Sequence, residues 1–95
     1  MNSVIKFKFG DEPHFRCIEV TNCPLYTTVE ENGKTEKVIC QQATEDFVHD
    51  TISQYLQRQN LQGCFHSIEV IEMGRLIATA ENLRERGSLK FKSNI

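Results

Sequence analysis

The chain is predicted to be an α+β domain, a mostly antiparallel sheet of about seven short strands with one amphipathic helix on its apolar face. Three observations predict it. Apolar residues and lysines alternate at both ends of the chain, in Ile5-Lys6-Phe7-Lys8-Phe9 and in Ser88-Leu89-Lys90-Phe91-Lys92. A period of two is the signature of a half-buried strand. An Asn32-Gly33 pair lies between two strand-like segments, and only residues 45–59 repeat apolar side chains at helical spacing. A lone amphipathic helix has to bury its stripe, and a sheet is the one partner such a chain offers.

Each element follows in order. The first strand, 5–9, is broken by Gly10-Asp11-Glu12-Pro13. A second, 14–20, is less regular because Cys17 and Ile18 are adjacent, and Thr21-Asn22-Cys23-Pro24 turns the chain again. Residues 25–30 and 35–40 flank Asn32-Gly33, which readily takes the positive φ angles of a type I′ hairpin turn. Val48, Ile52, Tyr55, Leu56 and Gln59 then form the helical stripe. Thr44 is the expected N-cap, with Glu45 and Asp46 in a first turn that favours negative charge. Arg58 suits the other end, and Asn60 or Gly63 supplies the left-handed residue that stops the helix.

After Gly63 the alternation returns, with Ile68, Val70 and Glu72 on one face and Glu69 and Ile71 on the other. Met73-Gly74 is a turn, residues 75–80 run back as a partner strand, and 81–87 are a charged connection to the last strand.

Ninety-five residues, 39% hydrophobic, make a single domain, 1–95, with one modest core. The opening MNSVIKFKFGDE has no apolar stretch behind a basic region, so no secretion signal is expected. No run approaches the roughly 20 apolar residues that cross a bilayer. A cytoplasmic protein with reduced thiols follows, in which Cys17, Cys23, Cys40 and Cys64 act as small buried hydrophobes.

Chemistry finds few footholds. Cys64 and His66 would share a strand face, but nothing nearby orients the imidazole, because Ser67 and Glu69 are expected on the opposite side. A metal would need His14, Cys17, Cys64 and His66 to converge, and no Cys-x-x-Cys spacing supports that. Cys64 and Phe65 are better read as core and His66 as a polar residue at the strand start. There is no phosphate-cradling glycine loop and no Gly-x-Ser-x-Gly. The chain is expected not to be an enzyme, with no cofactor, metal or small-molecule substrate.

The charge distribution is more informative. Residues 1–9 carry a net +2, residues 10–72 a net −7 and residues 73–95 a net +3. If the first and last strands are neighbours, Lys6, Lys8, Lys90 and Lys92 line one face, and Arg75, Arg84 and Arg86 can extend it. Such a patch suits a phosphate backbone or an acidic protein surface. The same pattern also serves simply to keep a sheet face soluble and its edges apart. Phe7, Phe9 and Phe91 fall opposite the lysines, so that face lacks the interleaved aromatics of a base-reading surface. Glu30, Glu31 and Glu36 make the hairpin the acidic pole.

The order of elements in residues 38–82 is a strand ending near Cys40, a helix, then Gln62-Gly63-Cys64-Phe65-His66 leading into a hairpin and a charged tail. It resembles some small phage-encoded anti-CRISPR proteins that inhibit type I interference complexes. The resemblance implies a stoichiometric inhibitor, monomer or weak dimer, in the cytoplasm of a bacterial host. It would dock on subunits of the RNA-guided surveillance complex and touch the guide RNA backbone, with Arg75, Arg84, Arg86 and the terminal lysines as contacts. The alternative is a small nucleic-acid-binding or regulatory module using the lysine face alone.

Overall fold

A computed structural model describes residues 2–83 and 87–91. Its elements are β1 (Asn2–Phe9), β2 (Arg16–Thr21), β3 (Tyr26–Glu31), β4 (Lys34–Ile39), α1 (Gln41–Arg58), β5 (Phe65–Glu72), β6 (Arg75–Ala80) and β7 (Lys90–Phe91). Five strands form an antiparallel sheet in the order β2-β1-β5-β6-β7, and β3 and β4 form a separate two-stranded ribbon. The α+β class is as expected. The hairpin, however, stands apart from the main sheet.

The core forms where the apolar phases of strand and helix meet. Ile5 and Phe7 of β1, Ile68 and Val70 of β5, and Ala78 and Ala80 of β6 are buried together with Val48, Ile52 and Leu56 of α1. Phe7 meets Tyr55 of the helix edge-on at 5.7 Å and Phe65 at 6.3 Å, locking β1, β5 and α1 into one layer. Each large aliphatic side chain sealed here contributes roughly 1.5–3 kcal/mol. Phe9 and Phe91 also pack on this cluster, opposite the lysines, as the alternation requires.

Three details of the helix differ from expectation. It begins at Gln41 rather than 45, with the backbone of Cys40 as N-cap. Thr44 is therefore inside the helix, fully buried, with its hydroxyl 2.8 Å from both the Cys40 and the Pro24 carbonyls. A polar residue that looks like a cap is instead a tertiary clasp holding the 21–25 turn. Glu45 and Asp46 accordingly fall in the second turn. Glu45 is buried: Oε1 accepts from the Leu89 amide at 2.9 Å and from Gln41 Nε2 at 3.1 Å, while Oε2 accepts from the Gly87 amide at 3.3 Å. Gln59 is exposed and just past the last turn. Asn60, at φ 56, stops the helix, with Leu61 N bonded to Leu56 O and Asn60 N to Gln57 O, the paired bonds of a left-handed C-terminal cap.

The sheet also departs from simple alternation at two bulges. Lys6 faces Glu69 while Lys8 faces His66, so β5 carries one residue more than β1 there. Ser67, at φ 55, takes up the difference. On β6 the register slips between Val70 and Ile71, leaving Ile77 and Ala78 both buried.

The expected adjacency of the first and last strands is overturned. β1 and β7 are separated by β5 and β6, with β7 at the margin. Chain ends need not be neighbours when β5 returns beside β1 after the helix.

Candidate docking surface

With α1 on one side, the other side of the five-stranded sheet carries no helix among the described residues. The pairing registers define what it presents. One row runs Cys17, Lys6, Glu69, Thr79, Lys90 across all five strands. The row on one side of it holds Glu19, Val4, Ile71 and Leu76, and the row on the other pairs Lys8 with His66.

Lys6 and Lys8 do converge. Their ammonium groups lie 4.8 and 5.1 Å from the centroid of one ring, Phe15, which the β1–β2 loop folds over the sheet. The ring's negative face is attractive to both cations. Lys90 shares the face and the row but stands three strand spacings from β1, roughly 14 Å at the usual separation. Glu69 and Thr79 lie between. A groove of about 630 Å³ crosses this interval, bounded by Phe15 and Lys90, with Glu69, Thr79, Glu81 and Asn82 along it.

The remaining expected contacts are not brought together. Arg75 pairs with Glu72, whose row includes the buried Ser3, so Arg75 belongs to the helix-side register and not to the lysine face. Arg84, Arg86 and Lys92 lie outside the described residues. What the sequence reading missed is Phe15, the interposed Glu69 and the presence of Glu19 on the same face. A lone aromatic beside a turn and an acid in each of two partner strands were the available signals.

The neighbourhood of Cys64 also differs from expectation. Cys64 and Cys17 are exposed, Cys23 and Cys40 intermediate, so the thiols are not uniformly core. β5 starts at Phe65, after Cys64. Ser67 does not point away from His66: the bulge brings its Oγ to 2.8 Å from His66 Nδ1, while His66 Nε2 sits 2.9 Å from the Gly10 carbonyl. A carbonyl only accepts, so Nε2 donates there and Nδ1 accepts from the Ser67 hydroxyl. The arrangement has the order of an activated hydroxyl. Yet the Ser67 amide is committed to the Glu81 carbonyl at 3.0 Å, which removes the nucleophile's own N–H from any oxyanion site. We read the contact as a brace between the bulge and the β1–β2 turn. Among the described residues, no three His, Cys, Asp or Glu side chains are placed to hold a metal ion, and no helix is long and apolar enough to cross a membrane.

Next to the face, Arg16 grips Glu12 through two bonds of 2.7 and 2.8 Å and donates to Tyr55 Oη at 3.0 Å. The paired bonds from Arg16 hold the Glu12 carboxyl below its usual range. The separate bond from Arg16 to Tyr55 ties the start of β2, next to Phe15, to α1, so the aromatic is presented from a fixed base. Compared with known protein families, with curated proteins and with solved structures, the chain matches none.

Proposed function

We propose that the chain is a non-catalytic docking protein that engages a macromolecule through its helix-free sheet face. The carrying observation is the convergence of Lys6 and Lys8 on Phe15 beside a groove with Glu69 and Lys90. Cations, carboxylates and apolar side chains in alternation suit a protein surface of mixed charge. They suit a phosphodiester backbone less well, because Glu19, Glu69 and Glu81 would repel it.

The particular partner we propose is a type I CRISPR surveillance complex, with the chain acting as a phage inhibitor that blocks target DNA in the host cytoplasm. That choice rests on the resemblance of residues 38–82, whereas the docking class rests on the surface. The test is retention of the complex's subunits by the immobilised chain from a lysate that contains such a complex. Failure to retain them removes this partner.

A second reading has one observation in its favour: Phe15 is an aromatic platform between two lysines, the minimal unit for gripping a single strand. It requires a mobility shift with free RNA or DNA that weakens steeply as salt rises.

A further inference from the structure

We infer that the β3–β4 ribbon is a dimerisation arm, and that two copies of this chain pair antiparallel along the free edge of β3. Every residue of β3 is exposed, as are all of β4 except Ile39. The ribbon belongs to no larger sheet. Tyr26, Val29 and Val38 are among the large apolar side chains most open to water, at 38, 42 and 40%. A two-stranded hairpin alone is marginal in water, and three or more strands are needed for independent stability. Yet the turn is well formed, with Asn32 and Gly33 at φ 55 and 77, and Thr27, Thr28, Val29, Thr35, Val38 and Ile39 are strand formers. The segment encodes more strand than one copy uses.

The register fixes which groups face outward. The Cys40 amide bonds to the Leu25 carbonyl at 2.9 Å, continuing the β3–β4 pairing beyond Tyr26↔Ile39. In an antiparallel ladder, hydrogen-bonded pairs alternate with non-bonded ones. Thr27, Val29 and Glu31 therefore direct their backbone groups to β4, as does the Leu25 carbonyl (the Leu25 amide bonds to the Cys23 carbonyl), while Tyr26, Thr28 and Glu30 direct theirs to the open edge.

A two-fold axis normal to the ribbon places each residue opposite one of the same parity. Centring it on Val29 sets Val29 against the second copy's Val29, Thr28 against its Glu30 and Thr27 against its Glu31. That register uses nearly the whole strand, sets no like charges opposite, and makes Thr28 and Glu30 the bonding pair, as their outward amides require. Centring on Glu30 would set two carboxylates face to face, and centring on Thr28 would part the two Val29 side chains, setting each against a Thr27. The outer edge of β4 is poorer: axes at Glu36 or Lys37 oppose like charges, an axis at Thr35 runs into the turn, and one at Val38 leaves only 36–40 to pair before α1 begins at Gln41. The product is a four-stranded sheet, β4-β3-β3-β4, in which the two Val29 side chains meet; the lysine strands belong to the other sheet.

The experiment is the mass in solution of the full chain by light scattering as concentration rises, for the native sequence and for Thr28→Pro. The Thr28 amide points away from β4, so proline there removes an edge donor without breaking the hairpin. The expected result is a concentration-dependent species of twice 11.0 kDa that Thr28→Pro returns to monomer. Val29→Cys provides a readout that does not depend on the proline variant folding. Opposed non-bonded positions sit about 4.5 Å apart at Cα, within disulfide reach. Mild oxidation should therefore join Val29→Cys to itself, mapped by peptide, and should not join Val38→Cys. A monomer up to about 1 mM, a dimer indifferent to Thr28→Pro, or cross-linking at Val38→Cys in place of Val29→Cys overturns the inference.

Discussion

Lys6 and Lys90 occupy one register row of the sheet, with Glu69 and Thr79 between them. The two lysine strands therefore share a face without being neighbours. A phosphate chain crossing the strands along this row would meet Lys6 and then the Glu69 carboxylate before it reached Lys90. A protein edge carrying an acid, then a donor, then an acid would meet a complement. This spacing is why docking on a protein is proposed for the face.

The buried Glu45 clamps the C-terminal segment to α1 through the Leu89 and Gly87 amides. Glu45→Ala should cost about 1–3 kcal/mol, the range for leaving buried donors unsatisfied, and should expose the Leu89 amide to hydrogen exchange. Unchanged protection at Leu89 would show that the clamp is not what holds β7.

Ser67 carries a left-handed φ of 55 inside a strand. In a regular strand valine would be a favourable replacement, but a β-branched residue at positive φ is strained by about 1–3 kcal/mol. Ser67→Val should therefore lower the unfolding midpoint, while Ser67→Gly, which gains backbone ease and loses the His66 bond, should change it little. A stabilised Ser67→Val would mean that the bulge is absent.

Burial pushes the Cys23 thiol up to about 11, with the Glu72 charge adding to the effect. At pH 8 an alkylating reagent should modify the exposed Cys17 and Cys64 well before Cys23, and Glu72→Gln should speed the slow site. The folded state holds the Cys23 proton more tightly than the unfolded chain does. Its contribution to stability is thus complete below the ordinary thiol pKa and is lost as pH rises towards 11. Equal rates at all exposed and half-buried thiols would contradict this.

Local patterns announced most of the elements. Alternation in β1 set Phe7 inward and Lys6 and Lys8 outward, Asn32-Gly33 marked its turn, and Val48, Ile52 and Leu56 marked the buried helix face. What failed was non-local. Strand order depends on β5 returning beside β1, which no local pattern encodes. Thr44 satisfies its hydroxyl on Pro24, twenty positions away, and so could not be told from a cap. The bulge did leave a trace: Phe65 and Ile68 are both core-facing yet three apart, where a strand would space them by two. Phe15 left almost none, since a lone aromatic after a proline turn has no period to read.

The most direct measurement is the affinity of the purified chain for a purified type I surveillance complex, comparing Lys6→Glu with Lys8→Glu combined against Arg75→Glu. The lysine pair lies on the helix-free face and Arg75 does not. Reversal of the pair should weaken binding roughly tenfold or more while Arg75→Glu leaves it near the native value. Equal affinity for both variants, or no binding by the native chain, would contradict docking through this face.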